Sequence, residues 1–214
     1  MVISFLFKEE VFSIVLAPKD SGFILYQLLQ RIADNIGISS FHLDDFNIEL
    51  ISTQLASQFI THMKMAFSCG ILLSSPYILY QLVRFVSPAL YEDERRYAVP
   101  VVVWGYILYM LGVLLCYFII FPLAIRFLGT YQVSSDVPNL ITLDSYISTL
   151  VTMSLLMGLM FELPILCWLF AKLGFINSTF LRKYRRHAFI TILIIGTIIT
   201  PTSDVFTLLL VSIP

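Results

Sequence analysis

Glu162 is the residue of this sequence whose type and setting most invite chemistry. It is the lone charge in a run from Ser145 to Ala171, within Gly158–Phe170, and Pro164 stands two positions on. If that run crosses a bilayer, a carboxylate near its centre costs on the order of 2.5–3.5 kcal/mol even on the lenient insertion scale. Such groups face a cavity, a partner helix or a translocation path. Pro164 has no N–H and frees a backbone carbonyl nearby, which adds polarity. Glu162 and Pro164 are therefore a candidate intramembrane polar site. The competing reading is an acid that only makes a packing hydrogen bond between helices.

Two further groups stand out. Phe85–Arg96 reads FVSPALYEDERR. Ser87 and Pro88 suit a helix cap and first position, and Glu92, Asp93 and Glu94 then fall in an early turn, where the helix dipole favours anions. That is a sufficient structural account. It leaves three consecutive acids beside Phe85 and Tyr91, a surface that could grip a basic peptide. Carboxylates hold a guanidinium bidentately, which selects Arg over Lys. Thr200-Pro201-Thr202-Ser203-Asp204 is a tight turn of ordinary turn residues between two short apolar runs. That edge of the protein should be thin and locally thin the bilayer.

Catalytic signatures are missing. The sequence contains no HExxH, GxxxxGK[ST] or GxGxxG pattern. His42, His62 and His187 are scattered. Cys69, Cys116 and Cys167 lie in apolar stretches without a CxxC partner, and an odd count argues against a disulfide framework. No metal site and no cofactor are expected.

The elements that must position these residues are membrane spans. The 214 residues are 58% hydrophobic and 13% charged, with a mean hydropathy of +0.89. A soluble domain carries about 25% charged residues. A soluble globule of this size could not hide that much apolar surface. A net charge of −1 offers no field for phosphates, so nucleic acid is excluded as a partner. Lipid is the expected surrounding, and the fold class is an all-α polytopic membrane protein.

Charge-free runs mark the spans, since about 20 residues cross a bilayer as a helix. The predicted order is the end of span 1 (1–7), an outer loop with an amphipathic helix (8–56), span 2 (57–84), a loop (85–96), span 3 (97–125), a loop (126–144) and span 4 (145–171). A loop (172–187), span 5 (188–200), a turn (201–204) and the start of span 6 (205–214) follow. The short apolar runs at each end predict a chain trimmed inside its first and last spans. Segments 84–96 and 172–187 hold eight Lys or Arg in 29 positions, and the other connectors hold five in 80. Positive charge marks the cytoplasmic side. The dense segments alternate correctly with the spans, and the N-terminus is then cytoplasmic too. In the first outer loop, Leu25, Leu28, Leu29, Ile32 and Ile36 form a helical stripe over Phe23–Ile36, with Ser21 and Gly37 as caps. Span 2 should exceed the hydrocarbon thickness and tilt or protrude, and Pro76 should kink it.

Five motifs in order resemble the TatC family of twin-arginine translocase subunits, over nearly the whole chain. SPALYEDERRYAVP (87–100) is similar to its first cytoplasmic loop, with F-x-x-P-x-L-x-x-x-E at Phe85, Pro88, Leu90 and Glu94. Phe118–Leu128 resembles the exit of its third span, MGLMFELP (157–164) its F-E-x-P motif, LRKYRRHAF (181–189) its second cytoplasmic loop and TPTSD (200–204) its T-P-x-D turn. Leu16-Ala17-Pro18 is similar to the start of its first periplasmic loop. The resemblance implies six helices in a concave, glove-like bundle in the bacterial cytoplasmic (inner) membrane, both termini cytoplasmic. It implies a non-enzymatic receptor for twin-arginine signal peptides of folded cargo, driven by the proton-motive force. Phe85, Pro88, Leu90, Glu94 and Arg95 would bind the signal peptide, and Glu162 would be the carboxylate of the concave face. Thr200, Pro201, Asp204 and Thr207 would contact the single-span subunits TatA and TatB, in a homo-oligomer within a larger complex. The sequence departs from the family in lacking the H-L-x-E-L-R stretch, in the extra residue of Thr202-Ser203, and in Leu208 where many members carry Gln.

A secondary transporter with Glu162 as its coupling site is the alternative. Such proteins show internal repeats and paired broken helices, and this sequence shows neither. An intramembrane enzyme would need a second acid or nucleophile beside Glu162, and no other acid lies within an apolar run.

Overall fold

The computed structural model describes residues 5, 7–20, 22–28, 30, 50–86, 98–130, 140–172, 190–191, 193–197 and 205–212. The chain is a polytopic helical membrane protein, and three helical stretches among the described residues are long and apolar enough to cross a bilayer: Ser57–Phe85, Pro100–Thr130 and Leu143–Ala171. The helices are α1 (Lys8–Leu16), α2 (Ser57–Val86), α3 (Ala98–Leu115), α4 (Phe121–Thr130), α5 (Leu143–Phe161), α6 (Leu163–Lys172) and α7 (Val205–Ser212). A π-helical turn, Cys116–Ile120, joins α3 to α4.

Helix ends depart from the charge-run expectation in informative ways. Helix α1 occupies the start of the segment expected as a loop. Lys8, Glu9 and Glu10 close an apolar run but open a helix, and acids in a first turn suit the dipole. The helix stops where Pro18 opens a 3-10 turn, Ala17–Lys19. Helix α4 continues past 125 to Thr130. Arg126 is a good helix former, and its guanidinium lies 5.6 Å from the centre of the Tyr26 ring. The fourth span is not one helix, because α5 ends at Phe161 and α6 begins at Leu163. Of the predicted amphipathic helix, 24–28 is helical and most of the remainder lies outside the described residues.

Prolines shape the long helices. Pro76 sits inside α2 and cannot donate to the Leu72 carbonyl four residues back. Ser75 Oγ donates to that carbonyl instead, at 2.8 Å. The 30 residues of α2 span about 45 Å at 1.5 Å per residue, more than the ~30 Å hydrocarbon core. The π-helical turn ends two residues before Pro122, whose missing N–H would otherwise serve the Phe118 carbonyl.

The described chain forms two compact units. The first comprises 1–68 and 115–151. Its strands β1 (Leu50–Ile51) and β2 (Ile141–Thr142) pair in parallel, Leu50 with Ile141 and Ile51 with Thr142, and so register the entries to α2 and α5. Lys64 Nζ on α2 meets Asp144 Oδ1 at 2.6 Å and Ser148 Oγ at 2.9 Å on α5. Tyrosines add donors at the C-terminal end of α1, where the Ala17 N–H already reaches the Ile14 carbonyl. Tyr117 donates to the Ile14 carbonyl, and Tyr146 to that of Val15 at 3.1 Å. Tyr26 donates to the Pro122 carbonyl at 2.9 Å, with the Pro18 carbonyl at 3.4 Å. Tyr146 and Phe121 are fully buried and meet edge to face.

The second unit comprises 69–114 and 152–214. Helices α3 and α5 approach closely through glycines. A Cβ on Gly112 would lie 2.8 Å from the Met157 carbonyl oxygen and 2.9 Å from the Phe161 ring. One on Gly158 would lie 2.7 Å from the Tyr109 ring. Small residues let helix backbones approach in lipid, where dispersion and weak polar contacts must drive association. Gly196, within the helical residues 193–197, similarly faces Ser212 Oγ of α7, 3.1 Å from where its Cβ would stand.

Candidate functional site

The second unit holds the intramembrane acid. Glu162 lies between α5 and α6. Its N–H reaches the Leu159 carbonyl at 3.2 Å, a tighter turn than the α-helix makes. Its own carbonyl accepts from Ile165 and Leu166 at 3.1 and 3.0 Å, which starts α6. Pro164 occupies the first turn of α6, where a missing N–H costs nothing, but it leaves the Met160 carbonyl without its helical donor. The sequence thus breaks the helix at the acid and exposes backbone polarity beside it.

The Glu162 side chain is 4% exposed, and its Oε1 is buried with no hydrogen-bond partner. An unpaired polar atom buried in apolar surroundings costs roughly 1–3 kcal/mol by mutational measures. The carboxyl lies against α3 at Gly105. A Cβ there would stand 3.2 Å from Oε2, 3.5 Å from Oε1 and 3.5 Å from Ile165 Cδ1. Tyr109, one turn further along α3 and buried, lies within electrostatic reach of the carboxyl. Gly105, Tyr109 and Gly112 share a face at helical spacing, and that face receives Met157, Gly158, Phe161 and Glu162. The arrangement is a desolvated acid in a helix-helix seam, with acceptor capacity unused. An oxygen so placed can accept a hydrogen bond only from a group that enters the seam. Among the described residues, no three His, Cys, Asp or Glu side chains gather to hold a metal ion.

The other expected site residues divide. Phe85, the last residue but one of α2, is 83% exposed. Thr207 is fully buried on α7. Pro164 is exposed. Pro88, Leu90, Glu94, Arg95, Thr200, Pro201 and Asp204 lie outside the described residues. Sequence reasoning did not single out Gly105 or Tyr109. Their signal was available as small and aromatic residues four apart in an apolar run, but nothing in the run marked which face met the acid. His62, one of the scattered histidines, is stacked on Phe5 at 4.3 Å and edge-on to Phe12, with Nε2 buried and unpartnered. In the first unit, Ser13, Ile14, Asp20, Phe23, Tyr117 and Phe118 line an apolar groove of about 590 Å³.

Comparison with known proteins covers the chain from end to end. Residues 1–214 match the family model of the Sec-independent protein translocase protein (TatC). The chain is 36% identical to the Sec-independent protein translocase protein TatC of Blattabacterium sp. subsp. Periplaneta americana over 210 residues, 97% of this chain and 79% of that protein. It is 36% identical to the TatC of Escherichia coli K12 over 170 residues, 77% of this chain and 63% of that protein. Against the TatC of Deinococcus radiodurans it spans 62% of the relative's length. The fold is similar to a crystal structure of the twin arginine translocase receptor TatC in DDM, with a TM-score of 0.76 and 31% identity, over 99% of this chain and 84% of that one.

Proposed function

Because the chain belongs to the TatC family of Sec-independent protein translocase proteins, we propose that it is the receptor and core subunit of a twin-arginine translocase. It recognises twin-arginine signal peptides and exports folded cargo across the bacterial cytoplasmic membrane with the proton-motive force. The family match across all 214 residues carries this reading. The protein of similar fold is itself described as a twin arginine translocase receptor.

In this reading the N-terminus is cytoplasmic, and Glu94 accepts the guanidinium groups of the signal peptide. Pro88, Leu90 and Arg95 shape that surface, and the exposed Phe85 ring supplies an apolar contact. A carboxylate selects Arg over Lys because only the guanidinium forms two parallel hydrogen bonds to it. Glu162 supplies a polar contact within the membrane for a helix of TatA or TatB, which is what a buried acid with a free acceptor offers. Thr200, Pro201 and Asp204 flank the same partners at the short last spans, whereas Thr207, buried within this chain, is not itself a contact.

The test is complementation. The full-length gene containing this chain is expressed, with TatA and TatB from the same source, in a bacterium lacking its own twin-arginine translocase. A prefolded reporter carrying a twin-arginine leader should reach the periplasm, and the same reporter with a twin-lysine leader should not. Protein present in the membrane without arginine-dependent export would overturn the reading.

A further inference from the structure

A carboxyl group can lie flat against the flank of a helix only where that helix lacks a side chain. Gly105 is that place on α3. Its Cβ would stand 3.2 Å from Oε2 of Glu162, tighter than an ordinary van der Waals contact, so any larger residue makes the acid move. Of the three nearest atoms, two are the carboxyl oxygens and the third, Ile165 Cδ1, is at an unstrained 3.5 Å, so the acid is the first group a side chain here would displace. The contrast with the two nearby glycines is informative. Gly112 and Gly158 face a backbone carbonyl and ring atoms at 2.7–2.9 Å, which is helix packing. Gly105 faces the end of a flexible, charged-type side chain, which could otherwise swing to another rotamer. Glu162 is also 4% exposed with an unpartnered Oε1, so no hydrogen bond to that oxygen fixes its position.

We propose that Gly105 is the positioning residue for Glu162, a notch in α3 that holds the carboxyl within the seam and sets where a partner helix meets it. The proposal rests on the reading of Glu162 as an intramembrane recognition group. It predicts a size relation between the two positions. Gly105→Ala shifts the carboxyl by a few tenths of an ångström, and Gly105→Val expels it. Glu162→Asp, one methylene shorter, makes room for the added Cβ.

The experiment measures export of a folded twin-arginine reporter in the full-length protein, with the membrane level of every variant quantified. Gly105→Ala should lower export severalfold at normal abundance, and Gly105→Val should lower it further. The defect of Gly105→Ala should shrink in the Glu162→Asp background, a rescue that a helix-packing role would not give. Unimpaired export by both Gly105 variants, or an equal defect in the Glu162 and Glu162→Asp backgrounds, overturns the proposal. If Gly105→Val fails to accumulate, Gly105→Ala and its rescue decide. Glu162→Leu is measured alongside. Normal export by that variant removes the role of Glu162 itself, whereas impaired export with silent Gly105 variants removes only the notch.

Discussion

At the scale of single residues, Glu162 was legible because charge is scarce. One acid in a run of apolar residues announces itself, and Pro164 beside it announces the break that the structure places between α5 and α6. The groove it occupies was not legible. Composition along α3 is almost uniformly apolar, so no periodicity marks the face carrying Gly105, Tyr109 and Gly112. A site that needs polarity more than charge predicts a graded response. Glu162→Gln, which keeps a hydrogen-bonding end of similar shape, should export more reporter than Glu162→Leu. The two variants, compared at equal membrane levels, should differ, and equal normal export by both would remove the acid from the mechanism.

Among the elements, helix seams and helix ends carry the architecture. Gly112→Ala puts a Cβ 2.8 Å from a backbone oxygen that cannot swing away. Overpacking of this kind costs about 1–3 kcal/mol, read as a lower Tm in detergent. Gly22→Ala meets nothing within 4 Å and should leave Tm unchanged. The tyrosine-bound end of α1 makes a second prediction. Tyr146→Phe removes the donor to the buried Val15 carbonyl and should destabilise by about 1–3 kcal/mol. Burial pushes the Tyr26 phenol from 10.0 up to about 12, with Arg126 pulling it back. A group held protonated in the fold contributes fully below pH 10, and that contribution is lost as pH rises towards 12. Thermal stability should fall across that window, and less steeply in Tyr26→Phe. None of this corner was visible from sequence, because tyrosines 26, 117 and 146 are far apart in the chain and only the fold brings their hydroxyls to carbonyls. Helix α1 was not legible either, because Lys8, Glu9 and Glu10 close an apolar run, whereas the helix that starts at them is ended by the turn at Pro18.

For the molecule as a whole, the motifs give the family, and the few charges are the basis of the proposed topology. Apolar content alone says membrane, and the eight basic residues of segments 84–96 and 172–187 suggest which connectors are cytoplasmic. The family match over residues 1–214 and the similar fold agree with five short motifs read in order. The central claim is that this protein reads paired arginines through Glu94. Site-specific crosslinking of signal peptides to the full-length protein tests it most directly, with arginine-pair and lysine-pair peptides offered to the unaltered protein, Glu94→Ala and Glu94→Gln. The account predicts strong crosslinking of the arginine-pair peptide that both substitutions weaken, with little effect on the lysine-pair peptide. Equal loss for the two peptides, or no loss for either, would contradict it.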